Sequence, residues 1–364
     1  MNIILTGEKG FIGYHLTQYL KWIKKENVIS VGRNFQNESK KFTNTDWVIH
    51  LAGVNRGEND QEVYDGNINL AKDLINIFNE NKITPNVIFI SSIQESLNNN
   101  YGNSKIEASK LIKEHCNEKG KEFISLKIPN VFGPFCKPNY NSFVATFCDK
   151  ISKGNSPEII KDNKVPLIYV QDVCEILYDS IIQTQEKSFE EYIYNINVSE
   201  ILSRLNHFNE LYNKSGILPE LNDKFNINLF NTFRSYISPL SQLTRKIDDR
   251  GYLIEILKCE SSQTQMFYSV TKPNITRGNH FHFDKIERFM ILKGTALIEM
   301  RKIDSEEILS WVINDSDDLT IDMPVMYTHS LKNIGDDDLI CCFWTQEIFN
   351  PLFPDTYFEK VNLI

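Results

Sequence analysis

The chain has 364 residues, of which 41% are hydrophobic, so it is long enough for two domains with proper cores. Its net charge of −9 offers no basic face for nucleic acid, and no basic run suggests an anionic membrane surface. No apolar stretch is long enough to span a bilayer, and the first residues lack a secretory leader pattern. We therefore expect a cytoplasmic protein with no nucleic-acid or membrane partner.

The chain begins with a strand-like run, a glycine turn and a helix-like run. Ile3-Ile4-Leu5 precedes a Gly-x-x-Gly-x-x-Gly sequence, and an amphipathic run through Leu16 and Ile23 follows it. Glycines permit close backbone approach, so that amide groups and a helix N-terminus can hold a pyrophosphate. A plain strand-to-helix turn is the alternative. The turn supplies the first cofactor-binding candidates: Gly7, Gly10, Phe11, Ile12 and Gly13.

The second strand, Val28-Ile29-Ser30-Val31, ends in Gly32-Arg33. An acidic residue at this place would bind the ribose hydroxyls of NAD, whereas Arg33 would attract a 2′-phosphate. The sequence therefore predicts NADPH, with a solvated loop arginine as the alternative.

Buried-type strands continue to alternate with helical runs. Trp47–Gly53 and Phe123–Ile128 are predicted strands, and a helical run extends from Asn67 to about Asn79. This alternation predicts an α/β, Rossmann-like, doubly wound parallel sheet whose ligands bind at the carboxyl ends of its strands.

The stretch Tyr101-Gly102-Asn103-Ser104-Lys105 follows the predicted strand that ends at Ser92. If Tyr101 begins a helix, the Lys105 ammonium lies one turn further on the same face. A nearby positive charge is expected to lower the pKa of Tyr101 from roughly 10, so that it donates a proton near neutral pH. With Ser92 as a second donor, this set suits hydride transfer at a carbonyl carbon. An exposed helix start is the alternative.

The first two-thirds of the chain resemble extended short-chain dehydrogenase/reductases that act on nucleotide sugars. Six motifs occur in that family's order: the glycine turn, His50-Leu51-Ala52-Gly53, Ser92, Tyr101-x-x-x-Lys105, Asn130-Val131-Phe132-Gly133-Pro134 and Tyr169-Val170-Gln171-Asp172-Val173. The resemblance implies that Leu51, Ala52 and Gly53 contact the cofactor, as do Tyr101 and Lys105.

Dehydratases of this family carry an acidic pair where this chain has Ile93-Gln94, so we expect a reductase or an epimerase. The resemblance implies substrate contacts at Asn130 and in the loop after Gly133-Pro134, for which a surface loop is the alternative. The loop candidates are Lys137, Asn139, Tyr140 and Asn141. From about Ser180 to Thr244 the pattern is irregular and supplies no candidate residue.

Short β-rich runs follow Asp248-Asp249-Arg250-Gly251, among them Gln265–Val270 and Leu339–Trp344. Helical periods are absent, so the pattern predicts an all-β jelly roll. We expect residues 1–243 to form the NADP(H)-binding reductase domain and residues 244–364 to form the second domain.

A cluster of potential metal ligands lies inside this second part. Residues two apart on a strand face the same way, so His280 and His282 can point together. With Glu287 and His329 they make an N/O site for zinc or another divalent transition metal. Their spacing resembles the two motifs of cupins, although Met326 replaces a usual glycine. A metal-free barrel with His280 as a base is the alternative.

A reductase followed by such a barrel resembles the bifunctional capsular-polysaccharide enzymes over essentially the full length. The resemblance includes Lys137–Ser142, Gly278–His280, Tyr327–His329 and Pro354–Phe358. It implies a UDP-activated 4-ketosugar substrate, with C3 epimerisation in the cupin and NADPH-dependent reduction of C4 in the reductase. It also implies substrate contact by Arg250 and a homodimer. His280 is our candidate for the base that exchanges the C3 proton. The alternatives are a 4-ketosugar reductase with a purely structural metal-binding cupin, and a non-catalytic sugar-nucleotide sensor.

Overall fold

The structure is a computed structural model that describes residues 1–32, 34–97, 99–242, 245–248, 251–254, 258–260, 264–347 and 350–363. Its contacts divide the chain into two compact units. The first comprises Met1–Phe132, Asn139–Ser142 and Asp162–Asn197, and the second comprises Gly133–Pro138, Phe143–Lys161 and Val198–Ile364. The second unit thus takes in residues 198–242, which the sequence had assigned to the first domain. The predicted boundary itself, between residues 243 and 244, lies outside the described residues.

The helices are α1 (Phe11–Gln18), α2 (Asp60–Glu80), α3 (Asn100–Glu118), α4 (Phe143–Ser152), α5 (Val170–Gln183), α6 (Val198–Phe208) and α7 (Lys224–Arg234). Short 3₁₀ segments occur at Phe35–Lys41, Ile93–Leu97 and Glu190–Tyr192, and π-helical segments at Tyr19–Ile23 and Asn209–Lys214. In the described part of the chain, none of the helices is long and apolar enough to cross a membrane.

A five-stranded parallel sheet forms the centre of the first unit, in the order β2-β1-β3-β4-β5. Its strands are β1 (Asn2–Thr6), β2 (Asn27–Val31), β3 (Trp47–His50), β4 (Asn86–Ser92) and β5 (Phe123–Ile128). The chain leaves β1 for one neighbour and returns to the other, so a ligand crevice is expected at the carboxyl ends of β1 and β3. A small mixed sheet adds β6 (Asn130–Phe132), β7 (Lys164–Tyr169) and β8 (Tyr194–Asn197).

Hydrophobic cores cover both faces of the parallel sheet. Successive side chains of a strand point to opposite faces. Ile3 and Leu5 therefore pack with residues of α1 and α5, whereas Ile4 packs with residues of α2 and α3. This two-sided burial confirms the predicted doubly wound, Rossmann-like fold.

The second unit contains two antiparallel sheets. One has the order β10-β19-β16-β21-β14 and the other β18-β17-β20-β15-β22. Their strands are β10 (Leu240–Gln242), β14 (Gln265–Thr271), β15 (Thr276–Phe281), β16 (Glu287–Lys293), β17 (Thr295–Lys302), β18 (Ile308–Asn314), β19 (Leu319–Met323), β20 (Tyr327–Asn333), β21 (Leu339–Thr345) and β22 (Tyr357–Phe358). Shorter pairs are β9 (Ile217–Leu218) with β13 (Lys258–Cys259), and β11 (Arg245–Asp248) with β12 (Gly251–Ile254).

One core joins these two sheets. It includes Phe289 of β16 and Ile321 of β19 from the first sheet, and Ile298 of β17 and Leu331 of β20 from the second. Sheets that share a core in this way form a face-to-face packing. The prediction of an all-β part after the α/β part is therefore confirmed.

The interpretation of residues 180–244 as irregular is wrong, because α6 and α7 lie there. Each helix is short and buries bulky side chains, among them Phe208 of α6 and Phe230 of α7, whose rings meet edge to face. Asp223 caps α7 by accepting the N–H of Asn226. Short helices of this kind give too few turns to establish a clear helical period in the sequence.

Candidate functional site

The glycine turn of the first unit is shaped by very close backbone contacts. A Cβ atom at Gly13 would lie 2.2 Å from the Gly7 carbonyl oxygen, and one at Gly7 would lie 2.8 Å from the Ala52 nitrogen. Gly7 also has a φ of +79°, which favours glycine. Gly10 is the N-cap of α1 and supplies no side chain to its first N–H groups. These N–H groups fit the pyrophosphate of a dinucleotide.

The turn after β1 and the loop after β3 are joined by polar contacts. Thr6 Oγ1 accepts the Ala52 N–H at 3.2 Å and lies 2.9 Å from His50 Nδ1. Burial lowers the pKa of His50 to about 3, so the ring is neutral. These contacts hold the predicted cofactor residues Leu51, Ala52 and Gly53 beside the glycine turn.

Asn67 is a buried site residue that the sequence had not singled out. Its side chain accepts the Val54 N–H at 3.0 Å and donates to the Val54 carbonyl at 2.9 Å and to Ser104 Oγ at 3.1 Å. It thereby fixes the end of the Leu51–Gly53 loop against α3. Its signal was a polar residue within the apolar face of α2 that also carries Val63 and Leu74.

Tyr101 lies in the first turn of α3, which Asn99 caps by accepting the Gly102 N–H at 2.7 Å. A Cβ at Gly102 would lie 2.4 Å from the Gln94 carbonyl oxygen. Glycine therefore lets α3 approach the segment that directly follows Ser92. Ser92 Oγ accepts the Gln94 N–H at 3.2 Å within that segment.

Lys105 lies one turn after Tyr101 and is 4% exposed. Its ammonium donates to the Ile90 carbonyl at 2.8 Å and lies 4.8 Å from the centroid of the Phe89 ring. A Cβ at Gly53 would lie 3.4 Å from Lys105 Nζ, which places the ammonium beside the cofactor loop. Burial lowers the pKa of Lys105 to about 8, although Glu95 acts in the opposite direction.

The Tyr101 phenol differs from the expectation of a lowered pKa. Burial, followed by the neighbouring Tyr140, raises the pKa of Tyr101 to about 12. Desolvation disfavours phenolate, and the Lys105 ammonium is engaged with the Ile90 carbonyl. Tyr101 is consequently a neutral phenol, which is the form that can donate a proton to a carbonyl oxygen.

The predicted substrate residues fall into separate parts of the structure. Asn139, Tyr140 and Asn141 belong to the first unit, whereas Lys137 belongs to the second. Asn130 is exposed and donates to the Pro166 carbonyl at 3.2 Å. Arg33 and Arg250, predicted to contact the cofactor phosphate and the substrate, lie outside the described residues.

Arg56 holds the segment that contains Tyr140. Its guanidinium donates to the carbonyl oxygens of Asn139, at 3.1 Å, and of Tyr140, and lies 5.0 Å from the centroid of the Tyr140 ring. Sequence reasoning had missed this residue, because its partners are more than 80 positions away.

The second unit brings three histidines together. One potential ligand atom from each of His280, His282 and His329 lies within 4.8 Å of the others. His280 of β15 stands opposite His329 of β20, after a register shift that follows Gly278. The Glu287 carboxylate lies 3.9 Å from Nε2 of both His282 and His329.

The protonation of this cluster suits a metal ion. His282 Nδ1 donates to the Asp355 carbonyl at 2.6 Å and His329 Nδ1 to the Tyr327 carbonyl at 3.3 Å. Both Nε2 atoms are buried and have no hydrogen-bond partner in the described structure. Burial lowers the pKa of each ring, to about 3 for His329, and raises that of Glu287 to about 7. Neutral imidazoles with inward-facing lone pairs are the form that ligates zinc.

Met326, at the position where cupin motifs usually carry glycine, has a backbone conformation that favours glycine. Its φ is +61°, its side chain is fully buried, and its N–H donates to the His282 carbonyl at 2.9 Å. Its carbonyl accepts the Ile303 N–H at 2.9 Å. These hydrogen bonds hold Met326 at positive φ, so the turn that leads to His329 forms here without glycine.

We predict that the buried ammonium of Lys105 makes stability depend on pH. Between pH 8 and 10.5 the unfolded chain binds a proton at Lys105 that the folded chain has lost, so stability rises with pH. A pKa lowered from 10.5 to about 8 corresponds to about 3 kcal/mol, at about 1.4 kcal/mol per pKa unit. Urea unfolding at pH 7, 8.5 and 10 should show this gain in wild type relative to Lys105→Met. If the free energy of unfolding changed with pH equally in wild type and in Lys105→Met, the prediction would be wrong. Lys110→Met, on the exposed side of α3, should behave as wild type.

Relatives of the chain extend over its full length. It is 30% identical over 366 residues to the UDP-2-acetamido-2,6-beta-L-arabino-hexul-4-ose reductase of Pseudomonas aeruginosa, and the match covers 98% of each chain. The crystal structure of the capsular polysaccharide assembling protein CapF from Staphylococcus aureus matches 99% of this chain and 100% of its own, with 30% identity and a TM-score of 0.60.

The first part of the chain has further structural relatives. A UDP-N-acetylglucosamine 4-epimerase from Methanobrevibacter ruminantium matches 65% of this chain and 97% of its own, with 19% identity and a TM-score of 0.53, and so supports the fold alone. Residues 246–357 match the polysaccharide biosynthesis C-terminal domain. Residues 3–196, more than half of the chain, match the NAD dependent epimerase/dehydratase family. The chain therefore belongs to the NAD dependent epimerase/dehydratase family and is CapF-like along its whole length.

Proposed function

We propose that the protein is an NADPH-dependent reductase of a UDP-activated 4-ketosugar that also epimerises the sugar at C3. The observation that carries this proposal is the full-length similarity to a 4-ketosugar reductase, since Tyr101 and Lys105 have the chemistry that such a reaction needs. The substrate would be a UDP-2-acetamido-2,6-dideoxy-4-hexulose. The product would be a UDP-N-acetyl-6-deoxy-talosamine, on the route to UDP-N-acetyl-L-fucosamine for capsule or O-antigen synthesis.

Reduction is assigned to the first unit. The nicotinamide cofactor, when bound, supplies the hydride that adds to C4. Tyr101 transfers its phenolic proton to the C4 oxygen, which becomes a hydroxyl, and Ser92 donates a second hydrogen bond to that oxygen. The Lys105 ammonium, one helical turn from Tyr101, would stabilise the phenolate that Tyr101 leaves behind once the ammonium is released from the Ile90 carbonyl. The preference for NADPH depends on Arg33, and Arg33 would bind the 2′-phosphate as a charged partner.

Epimerisation is assigned to the second unit. A C4 ketone acidifies the adjacent C3–H bond, so a base can remove the C3 proton and a proton can return to the opposite face. His280 is the proposed base, because it belongs to the histidine cluster and is less buried than His282 and His329. Exchange must precede reduction, since reduction removes the ketone that acidifies C3.

The histidine cluster is proposed to hold zinc. His280, His282, His329 and Glu287 would be its ligands, as their neutral rings and the two unpartnered Nε2 atoms favour. Zinc with four protein ligands commonly has a structural role. His280 cannot act as a base while it is coordinated, so the two roles proposed for it exclude each other at any one moment. We further propose that the active protein is a homodimer.

Replacement of Tyr101 by phenylalanine is predicted to abolish reduction and leave NADPH binding nearly intact, since only the proton donor is removed. General acid catalysis typically contributes about 10²- to 10⁴-fold, so turnover should fall by that factor. NADPH oxidation with a UDP-4-ketosugar measures the first effect and fluorescence titration the second. Retention of more than about a tenth of wild-type turnover would refute the role of Tyr101. Tyr64→Phe is the control, because Tyr64 bonds to the exposed Glu107.

Zinc is predicted to stabilise the second unit. At a free zinc concentration of about 100 times Kd, the native state should gain about 2.7 kcal/mol, which appears as a higher melting temperature. His282→Ala should lose both the bound metal and this gain. Metal analysis and thermal unfolding of chelated and zinc-loaded protein measure these effects. If the wild type has the same melting temperature with and without zinc, zinc has no stabilising role. His207→Ala, at a half-exposed histidine, is the control.

The exchange step is predicted to proceed without reduction. Full-length Tyr101→Phe, incubated with the ketosugar in D₂O and no NADPH, should place deuterium at C3, as mass spectrometry and NMR would detect. His280→Ala should abolish exchange and must be compared with His282→Ala, which removes a ligand but not the proposed base. If wild type binds the ketosugar and incorporates no deuterium, the epimerase half of the proposal is wrong. The full chain is used because contacts group residues 198–242 with the β-sheets.

A further inference from the structure

The C-terminal strap, defined as Pro354–Val361, runs along the histidine cluster. Its strand β22 pairs with β15, so that Phe358 lies opposite His280. Glu359 donates its N–H to the Asn279 carbonyl at 2.8 Å, next to His280. Its own carbonyl accepts the hydroxyl of Thr328, next to His329. The strap therefore forms hydrogen bonds with the residues adjacent to His280 and to His329.

The third histidine is bound by Asp355 directly. The Asp355 carbonyl accepts Nδ1–H of His282 at 2.6 Å. A ring that donates through Nδ1 must present the lone pair of Nε2 on its other side. That Nε2 is buried, has no hydrogen-bond partner among the described residues, and lies 3.9 Å from the Glu287 carboxylate. The contact thus selects the tautomer that can bind a metal through Nε2.

The Asp355 carboxylate shapes the turn that follows His282. Its Oδ1 accepts the Phe283 N–H at 3.0 Å, and its Oδ2 accepts the N–H groups of Asp284 at 2.9 Å and Lys285 at 2.8 Å. A carboxylate is well suited to this position because both oxygens accept and neither donates. The turn connects His282 to Glu287, so its shape sets the separation of these two ligands.

The backbone of Asp355 is itself held in an uncommon conformation. Its φ is +39°, in the left-handed region that only asparagine, aspartate and glycine enter readily. Strain of this kind persists where the surroundings impose it. Here it lets one residue direct both its carbonyl and its carboxylate toward the segment that begins at His282. The strap is fixed further along, where Arg301 donates to the carbonyls of Lys360 and Val361, each at 2.8 Å.

We propose that Asp355 is a positioning residue of the metal site, which fixes the His282 tautomer and the distance from His282 to Glu287. This inference rests on the proposed metal site. Partners that orient a metal ligand typically change metal affinity by about 10- to 100-fold when they are removed. Asp355 lies 73 positions from His282 along the chain, beyond the reach of any local motif.

The test is zinc affinity of the full-length protein, measured by competition with a chelator. Asp355→Asn keeps the size of the side chain and its tolerance of positive φ but replaces one acceptor oxygen with a donor. Asp355→Gly keeps the backbone carbonyl and the left-handed conformation and removes the carboxylate entirely. Asp336→Asn, at an exposed aspartate, is the matched control. Both Asp355 variants should bind zinc about 10- to 100-fold more weakly than wild type, and the control should bind as wild type does.

A second readout separates positioning from general destabilisation. The visible spectrum of cobalt(II)-loaded protein reports ligand geometry, so it should change in Asp355→Asn and not in Asp336→Asn. NADPH oxidation with a ketosugar already epimerised at C3 should stay at the wild-type rate. A variant with wild-type zinc affinity and cobalt spectrum would overturn the role of Asp355. A wild type that binds no zinc would overturn the metal site and this inference together.

The wild type offers a test that does not depend on any variant folding. Metal-free protein with ¹⁵N-labelled histidine should show His282 as the Nδ1–H tautomer, with a proton that exchanges slowly because it is bonded to the Asp355 carbonyl. An Nε2–H tautomer at His282 would overturn the proposal.

Discussion

The loss of hydration on burial is the constraint on which both candidate sites depend. Lys105 is 4% exposed, and His282, His329 and Glu287 are 3%, 5% and 9% exposed. Removing an ion from water disfavours its charged form, so the lysine and histidine pKa values fall and those of Tyr101 and Glu287 rise. Burial thus leaves a neutral phenol in one unit and neutral imidazoles in the other. Neighbouring charges modify these shifts but do not reverse them.

The parts of the structure that sequence predicted well are those with local signals. A strand such as β1 alternates its side chains between two cores, and a run of apolar residues records this directly. The turn from Gly7 to Gly13 could be predicted from its glycines, because a Cβ atom at these positions would lie only 2.2 to 3.1 Å from neighbouring atoms. The position of Lys105 one turn after Tyr101 could also be predicted, because their spacing in the sequence equals one turn of a helix. The pair of antiparallel sheets followed from short β-rich runs.

What sequence could not supply depends on contacts between distant residues. The pKa of Tyr101 was expected to fall because helical spacing suggested a nearby charge, whereas burial, which spacing does not report, raises it. Asn67 and Arg56 act through partners in other segments, and Asp355 acts through a turn about 70 residues earlier. Met326 shows the opposite case, since it adopts a positive φ at a position where the motif usually has glycine. Residue type there was a weaker guide than the hydrogen bonds that enforce the conformation.

The proposed order of exchange and reduction requires the first unit to reduce only ketosugars that are already epimerised at C3. Its proton donor cannot make that distinction. Burial raises the pKa of Tyr101 to about 12, so the phenol is neutral near pH 7 and can protonate a C4 oxygen whether or not C3 has been epimerised. Premature reduction would fix the wrong configuration, because the alcohol no longer acidifies C3. Under the proposed function, selectivity must therefore arise where the sugar is bound rather than where the proton is given. Among the residues proposed to bind the sugar, Tyr140 lies close enough to Tyr101 to shift its pKa, and Arg56 holds the segment that contains Tyr140.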